Sequence, residues 1–482
     1  MLRCAVLIAI VVLTCSLASA STYYVDSSRG NDSNPGKSAQ RAWKTLTKAN
    51  AVLQPGDTCL VRAGVYGGQV ISPANSGTEK APIIYAAYQG ETPELTGGQS
   101  GSLVILDGKA YVTVKGFKIY SPDDHDWVVR MAGENTHHNR IESCDISDPE
   151  GYAPVVIALG AHHNTVIGNT IHDTGHREEG SGDCVVVNGK CHHNAITRNR
   201  CYNACHSQIM LMNGSLHNTV SENDLYATKH DWAGAGVNVI LGSDNNQVIG
   251  NRIHDLGYIT DEKCAIQIDS SHNTIRNNTI YNCGAFGISP QSYTYGGQPQ
   301  PACGNLIANN TVCNCGRQGL VIISKRDLYS RGNRIVNNIV VGSPGHWYGT
   351  NAWIMVFDTY HLNNPAQPGD WFGNVFQNNL FFHRRPGESN LVMYNHRGPS
   401  AGSGSPRAES RGGNPVTWSL RELQKQFPTA FSGNLEAAPQ FVNPAAGDFR
   451  LKPTSPAVDA GRDVGLPFKG KAPDMGALEH SL

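Results

Sequence analysis

Charge is scarce in this 482-residue chain: 16% of residues are Asp, Glu, Lys or Arg, and 38 basic side chains almost cancel 39 acidic ones. About a quarter is usual in a globular protein. So even a balance argues against the basic footprint of a nucleic-acid binder and against a disordered tail of one charge. Long apolar runs are also missing beyond the first twenty residues, so no later stretch reaches the length of a membrane-spanning helix.

What is abundant is glycine, at 52 residues, with asparagine in one stretch after another. Such a composition suits a β protein with many tight turns. The opening MLRCAVLIAIVVLTCSLASA reads as a targeting segment. Arg3 is its basic start, Ala5 to Leu13 its apolar stretch, and Ala18-Ser19-Ala20 its cleavage signal before Ser21. The expectation is a secreted protein, extracellular or periplasmic, with residues 1–20 removed. Of 13 cysteines, Cys4 and Cys15 leave with that segment. In an exported chain some of the rest are expected to pair, and an odd remainder leaves one unpaired. Cys201 with Cys205, or Cys313 with Cys315, has the look of a ligand pair, but both lie in repeat positions and are assigned to core or disulfide.

The repeat is the main feature. Segments such as HHNTVIGNTIHDTG from His162, HHNAITRNRCYNAC from His192 and GNLIANNTVCNCG from Gly304 share the form N-x-φ-x-x-N-x-φ, with φ apolar. The first Asn of each copy falls at Asn139, Asn164, Asn194, Asn218, Asn246, Asn273, Asn305, Asn333 and Asn374. Steps of 24 to 41 residues mean a solenoid. Apolar residues alternate with polar ones, as in short strands, and the second Asn marks a corner. A further strand lies upstream of each copy, as in CVVVN (Cys184–Asn188), SQIML (Ser207–Leu211) and CAIQID (Cys264–Asp269). Three short strands per turn without a helix describe an all-β, single-stranded, right-handed parallel β-helix. Asn tolerates the left-handed corner conformation, and its amide can bond to the Asn above and below. The Asn column and the HHN corners are therefore assigned to structure, not to a metal. Because one residue type recurs at one place, Cys283 and Cys315 align on adjacent coils and predict a disulfide or a stacked pair.

Residues 21–100 read as an N-terminal cap and first coils, with an amphipathic helix over Ala42–Leu53 to plug the open core. The helix proper spans 101–397. Residues 398–482 give a Gly/Ser/Pro/Arg loop, a short helix over Ser419–Phe427 capped by Ser419, and a distal cap. With YYVDSSRGNDSNPG at the front, Asn-rich coils in the middle and SPAVDAG…PDMGALE at the end, the chain resembles exported parallel β-helix proteins of the pectate lyase-like superfamily. That resemblance implies a long polysaccharide groove on the solvent face of the upstream strand of each coil. It leaves the activity open among lyases, hydrolases, epimerases and non-catalytic proteins.

Strand alternation sorts the side chains of that face. With Ile266 and Ile268 inward, Lys263, Gln267 and Asp269 turn outward. Asn238 faces out one coil earlier; Gln208, Met210 and His206 do so one coil before that. Gln291 follows on the next coil, with Tyr293 in the loop beyond and Lys325-Arg326 further on. Trp232 and Tyr293 offer flat faces for sugar rings, and cations can hold a uronate carboxylate.

Two chemistries fit. In β-elimination a cation neutralises the uronate and a base removes the adjacent proton; Lys263, His206 or Arg326 would serve, with Asp269 in support. Asp261 and Glu262 supply hard oxygen ligands for calcium, the one cofactor considered. In hydrolysis two carboxylates flank the bond: Asp269 with Asp231 or Asp358, and Glu178, Glu179 and Asp183 in reserve. A non-catalytic carbohydrate-binding protein is the third reading. The chain departs from the alginate lyase and chondroitinase B pattern of Lys and Arg on successive strands, holding Asn188 and Met212 there. It also lacks the Asp-Pro-His-Asp motif of mannuronan epimerases, showing only Asp124-His125-Asp126. The expectation is a monomer acting on polysaccharide, with neither nucleic acid nor membrane as partner, and a lyase as the leading activity.

Overall fold

The computed structural model describes residues 20–97, 101–121, 127–148, 151–175, 182–228, 234–257, 264–284, 286–316, 318–325, 328–342, 355–361, 369–383, 392–395 and 416–480. For residues 325, 355–361 and 392–395 the description covers the backbone alone. Three long sheets of 14, 13 and 12 strands run the length of the molecule, so each coil gives one strand to each. The coil through Ala195–Thr197, Arg200–Ala204 and Ser207–Met212 is typical. Ala195–Thr197 pairs in parallel, residue for residue, with Thr219–Ser221 of the next coil, and Ser207–Met212 stacks on Asp183–Asn188. The chain is a parallel β-helix.

Its core is one apolar column. Ile141, Val166, Ile196, Val220, Val248 and Ile275 come from the same position of successive first-sheet strands, and each is fully buried. Burying such a side chain is worth about 1.5–3 kcal/mol.

Two asparagine ladders hold the corners. In the ladder between third and first sheets, Asn164 Nδ2 donates to Asn194 Oδ1 at 3.1 Å and Asn194 to Asn218 at 3.0 Å. Between first and second sheets the chain of amides runs Asn169, Asn199, Asn223, Asn251, Asn278, Asn310, Asn338, Asn379 and Asn434, at 2.9 to 3.1 Å per step. The left-handed residue at each corner is not the ladder Asn, as the sequence suggested, but the one before it: His163 (φ 54°), Arg198 (φ 55°), Glu222 (φ 56°). That residue makes the turn; the Asn that follows turns its amide inward to close it.

The end elements differ from expectation in extent. Helix α1 (Leu46–Val52) starts late, because Trp43 bridges to Val25 and Thr45 caps the helix by accepting from the Lys48 N–H. Leu46 and Ala49 enter the core column. Helix α2 (Leu420–Gln426) carries a complete capping box between Ser419 and Glu422. The tail does not sit over the end. It runs back along the second sheet, where Phe441, Phe449, Leu451 and Met475 pack on Tyr281, Ile339 and Leu380. Asn337 and Asn309 side chains donate to the carbonyls of Arg462 and Asp474.

All eleven described cysteines are buried except Cys303, which is partly exposed. Cys283 and Cys315 do stack on adjacent coils, where the Cys283 thiol and burial together push the Cys315 thiol well up. For Cys283 and Cys315 the outcome is the stacked pair and not the disulfide, both thiols filling the core column.

Candidate functional site

The third sheet carries the candidate face. Its strands are Ala153–Ala158, Asp183–Asn188, Ser207–Met212, Ala235–Val239, Cys264–Ile268 and Phe286–Pro290, with neighbours on both sides. Register places Val156, Val186, Met210, Asn238, Gln267 and Ser289 in one outward row. The row changes character along its length. Val156, Val186 and Met210 form a buried apolar patch with Ala132, Ala153 and Ala158. From Asn238 onward it is polar.

Asn238 and Gln267 thus face outward as the alternation predicts, and Asp269 and Gln291 follow on the same side. Their exposure is the difference: Asn238 is 5%, Asp269 6% and Gln291 2% exposed. Gln267 donates from Nε2 to Asp269 Oδ2 at 2.8 Å, and Gln291 Nε2 approaches Cys264 Sγ at 3.5 Å. Asn238 Oδ1 and Ser289 Oγ, on the two coils flanking Gln267, are buried without a hydrogen-bond partner among the described residues. Buried polar atoms are normally satisfied, so this pair is an exception to be explained.

Gln208 corrects the sequence reading. It is fully buried and points into the core, where Cys184 Sγ lies 3.4 Å from its Oε1. The cause is a local break in alternation at the start of each third-sheet strand. Ala265 and Ile266 both belong to the core column, while Cys264 sits outside with Phe286, Val321 and Ile323. Counting parity back from Ile268 therefore fails upstream of Ile266, and with it the argument that Lys263 and Asp269 share a face. Lys263 itself, Trp232, Arg326, Asp261 and Glu262 lie outside the described residues, as do Asp231, Glu178 and Glu179. Lys325 and Asp358 are described in backbone only. Tyr293 opens the hairpin Tyr293–Tyr295 with Gln298–Gln300 and is 38% exposed, at the finishing edge of the face.

At the starting edge stands a group the sequence did not assemble. Asp183 and Ser207 are register partners on adjacent coils, and His206 precedes Ser207. The Asp183 side chain is wholly buried; its Oδ1 accepts from the Ser207 hydroxyl and meets His206 Nδ1 at 3.0 Å. The His206 ring is 37% exposed. A buried carboxylate on Nδ1 fixes the tautomer and leaves Nε2 as the basic edge. Asp183 Oδ2 is buried with no hydrogen-bond partner among the described residues. The neighbouring thiol offers no competing nucleophile: burial, then the thiol of Cys201, push Cys184 well above the ordinary range. Aligning GDCVVVN with HSQIMLM would have set Asp183 opposite Ser207; the signal was present but hidden among apolar copies. Among the described residues no three carboxylates gather on this face, so none of them makes a calcium cage.

A family model described as "Pel9A-like, right handed beta helix region" matches residues 23–209, and one described as "Right handed beta helix region" matches residues 228–354. Lacto-N-biosidase of Bifidobacterium longum subsp. longum is 36% identical over 104 residues, which is 20% of this chain and only 6% of that protein. Among solved structures, pectate lyase Pel9A overlays with TM-score 0.49 at 15% identity, covering 97% of this chain and 98% of that one. The alginate lyase AlyGC overlays with TM-score 0.48 at 16% identity (73% and 52%). For the lacto-N-biosidase of Eubacterium ramulus the TM-score is 0.40 at 15% identity (77% and 65%). With its coils matched by both family models and its strands stacked in three parallel sheets, the chain has the right-handed parallel β-helix fold, its first part resembling the Pel9A-like model.

Proposed function

We propose that this protein is a secreted, carbohydrate-active enzyme that cleaves a uronate-containing polysaccharide by β-elimination on the outer face of the third sheet. The observation that supports it is the Asp183–His206 pair, a half-exposed imidazole oriented by a fully buried carboxylate at the edge of a polar row. In this reading His206 Nε2 takes the proton next to the uronate carboxylate. The electron pair left behind forms the new C=C bond as the C–O bond to the leaving sugar breaks, and that oxygen takes up a proton. Asp183 offsets the charge that develops on the imidazolium. Gln267, the partly exposed residue of the polar row, meets sugar hydroxyls, and Lys263 or Arg326 neutralises the uronate; calcium bound by Asp261 and Glu262 is an alternative for that last role. Export is supported by the pattern from Arg3 to Ala20.

The local match to lacto-N-biosidase favours a second reading, glycoside hydrolysis by a carboxylate pair that includes Asp269. A panel of acidic and neutral polysaccharides separates the two. Ultraviolet absorbance growing in step with reducing ends is the expected result; reducing ends alone establish the hydrolase. On the substrate so found, His206→Ala and Asp183→Asn should each lower kcat by about 10²-fold or more, as loss of a general base does. Near-normal turnover in His206→Ala removes the dyad from the mechanism.

A further inference from the structure

The turn from third to first sheet carries a His-His-Asn triplet on three successive coils. The Asn of each belongs to a ladder; the histidines have a geometry of their own. His137, His162 and His192 stack ring on ring at 5.1 and 4.9 Å, with interplanar angles of 9° and 2°. His138, His163 and His193 form a second stack at 4.9 Å per step. Within each coil the two rings stand almost perpendicular, and their Nδ1 atoms approach to 2.8, 2.8 and 2.9 Å. Stacking accounts for the parallel rings between coils. It does not require two nitrogens of each pair to converge.

That convergence has a coordination meaning. Two imidazole nitrogens held about 2.0 Å from one ion are about 2.8 Å apart at a right angle and about 3.3 Å apart at the tetrahedral angle. The observed pairs match the right angle and are too tight for a tetrahedral site. His162, His163 and His192 have ring nitrogens within 4.8 Å of one another; two donors about 2.0 Å from one ion stand at most about 4.0 Å apart, so the stacked His192 ring turns about its side-chain bonds to become the third donor. His162 and His192 are partly exposed and His163 is exposed, which leaves the corner open to an ion.

We propose that the His162–His163–His192 corner binds a divalent transition-metal ion of tetragonal preference, copper(II) foremost, with the His162–His163 pair chelating from one coil and His192 donating from the next. The hydrogen between the two Nδ1 atoms moves to Nε2 of the ring that carries it, which leaves both Nδ1 lone pairs for the ion. Copper(II) also stands highest in affinity among divalent first-row ions for nitrogen sites. The site lies at the opposite end of the third-sheet strands from His206, and the proposal is independent of the catalytic one.

The chain supplies its own conservative substitutions. Leu216 follows His192 in the first column, and Asn245 occupies the left-handed corner that His163 fills, at φ 59°. His162→Leu with His163→Asn therefore installs residues the same columns already hold. Untagged protein is titrated with copper(II) alone in a non-chelating buffer at neutral pH, followed by calorimetry and electron paramagnetic resonance. One ion with nitrogen hyperfine coupling is expected, bound more tightly than zinc. The double variant should weaken binding on the order of tenfold or more, and His192→Leu alone by less, while His272→Asn, outside the trio, changes nothing. Circular dichroism of each variant checks that the coils are intact. No binding by the parent, or equal binding by the folded double variant, overturns the proposal.

Discussion

Removing one rung from an asparagine ladder should cost far more than its size suggests, and Asn223→Ala tests it. Asn223 is 1% exposed, and its side chain takes part in four hydrogen bonds. Its Nδ2 donates to Ile196 O at 3.0 Å and to Asn251 Oδ1 at 2.9 Å. Its Oδ1 accepts from the Asn199 backbone N–H at 2.9 Å and from Asn199 Nδ2 at 3.1 Å. Truncation leaves the Asn199 N–H and one Asn199 amide hydrogen buried and unpaired, while the Ile196 carbonyl keeps its place in the parallel ladder with Thr219–Ser221. At about 1–2 kcal/mol each, the low end because an amide-sized void can admit water, the loss is about 2–4 kcal/mol. Ser221→Ala, on the same coil, removes one partly buried hydrogen bond to Thr197 and should cost under about 1 kcal/mol. Urea unfolding followed by circular dichroism measures both. Solenoids open coil by coil, so hydrogen exchange at the Asn199 amide gives the local value. If Asn223→Ala and Ser221→Ala cost the same, the ladder is a packing feature and the accounting is wrong.

Two further outcomes follow from burial. Gln208→Leu should be neutral or stabilising by about 1 kcal/mol, because Gln208 Nε2 is buried without a hydrogen-bond partner among the described residues. Loss of substrate binding at unchanged stability would return Gln208 to the groove. Asp224 sets a pH dependence. Burial raises its carboxyl, but the hydrogen bond with His254 and the cations Arg252 and Arg200 outweigh that and hold it below the ordinary value. Its contribution is therefore present above the unfolded pKa of about 4 and lost as pH falls through the folded one. Asp224→Asn should flatten the acid limb of a stability–pH curve below about pH 4. An unchanged limb shows that the pair contributes nothing.

The repeat made the architecture legible because stacked coils force one residue type into one place. Asn194 and Asn199 announce two corners, and Ile196 between them announces a core position. The face was legible only where strict alternation holds. It gave Asn238, Gln267 and Asp269 the right side, and it failed at Gln208 because two consecutive residues face inward at the start of the strand. His206 was picked for its chemistry, but its buried partner was not. Asp183 sits beside an insertion in sequence and opposite Ser207 only in the folded register. Nor did the pattern reveal the path of the tail, since Phe449 is an ordinary apolar residue whose contact with Tyr281 spans more than a hundred positions.

Ladder spacing is fixed, so variation in coil length has to be absorbed at corners, and one of these borders the dyad. The strand ending at Ala204 reaches the one starting at Ser207 through Cys205 and His206 alone. One coil earlier the same connection, from Thr174 to Asp183, holds Gly175 to Gly182. The ends of that insertion already meet. A Cβ built on Gly182 would lie 2.2 Å from Gly175 Cα. Adding a Cα–Cβ bond of about 1.5 Å puts the two Cα atoms within about 3.7 Å, the separation of consecutive residues. Deleting residues 176–181 and joining Gly175 to Gly182 thus reproduces the two-residue connection of the neighbouring coil. Glycine at both positions accepts the change, Gly182 already standing at φ 120°. The shortened protein should fold with an unfolding midpoint within about 2 °C of the parent, a change of about 1–2 kcal/mol in a chain this size. If His206 works with groups from that insertion, turnover on the polysaccharide found by the screen should fall while the midpoint holds. A midpoint lowered by about 10 °C or more would mean that the insertion supports the coil, and the separation of scaffold from site at this corner would be lost.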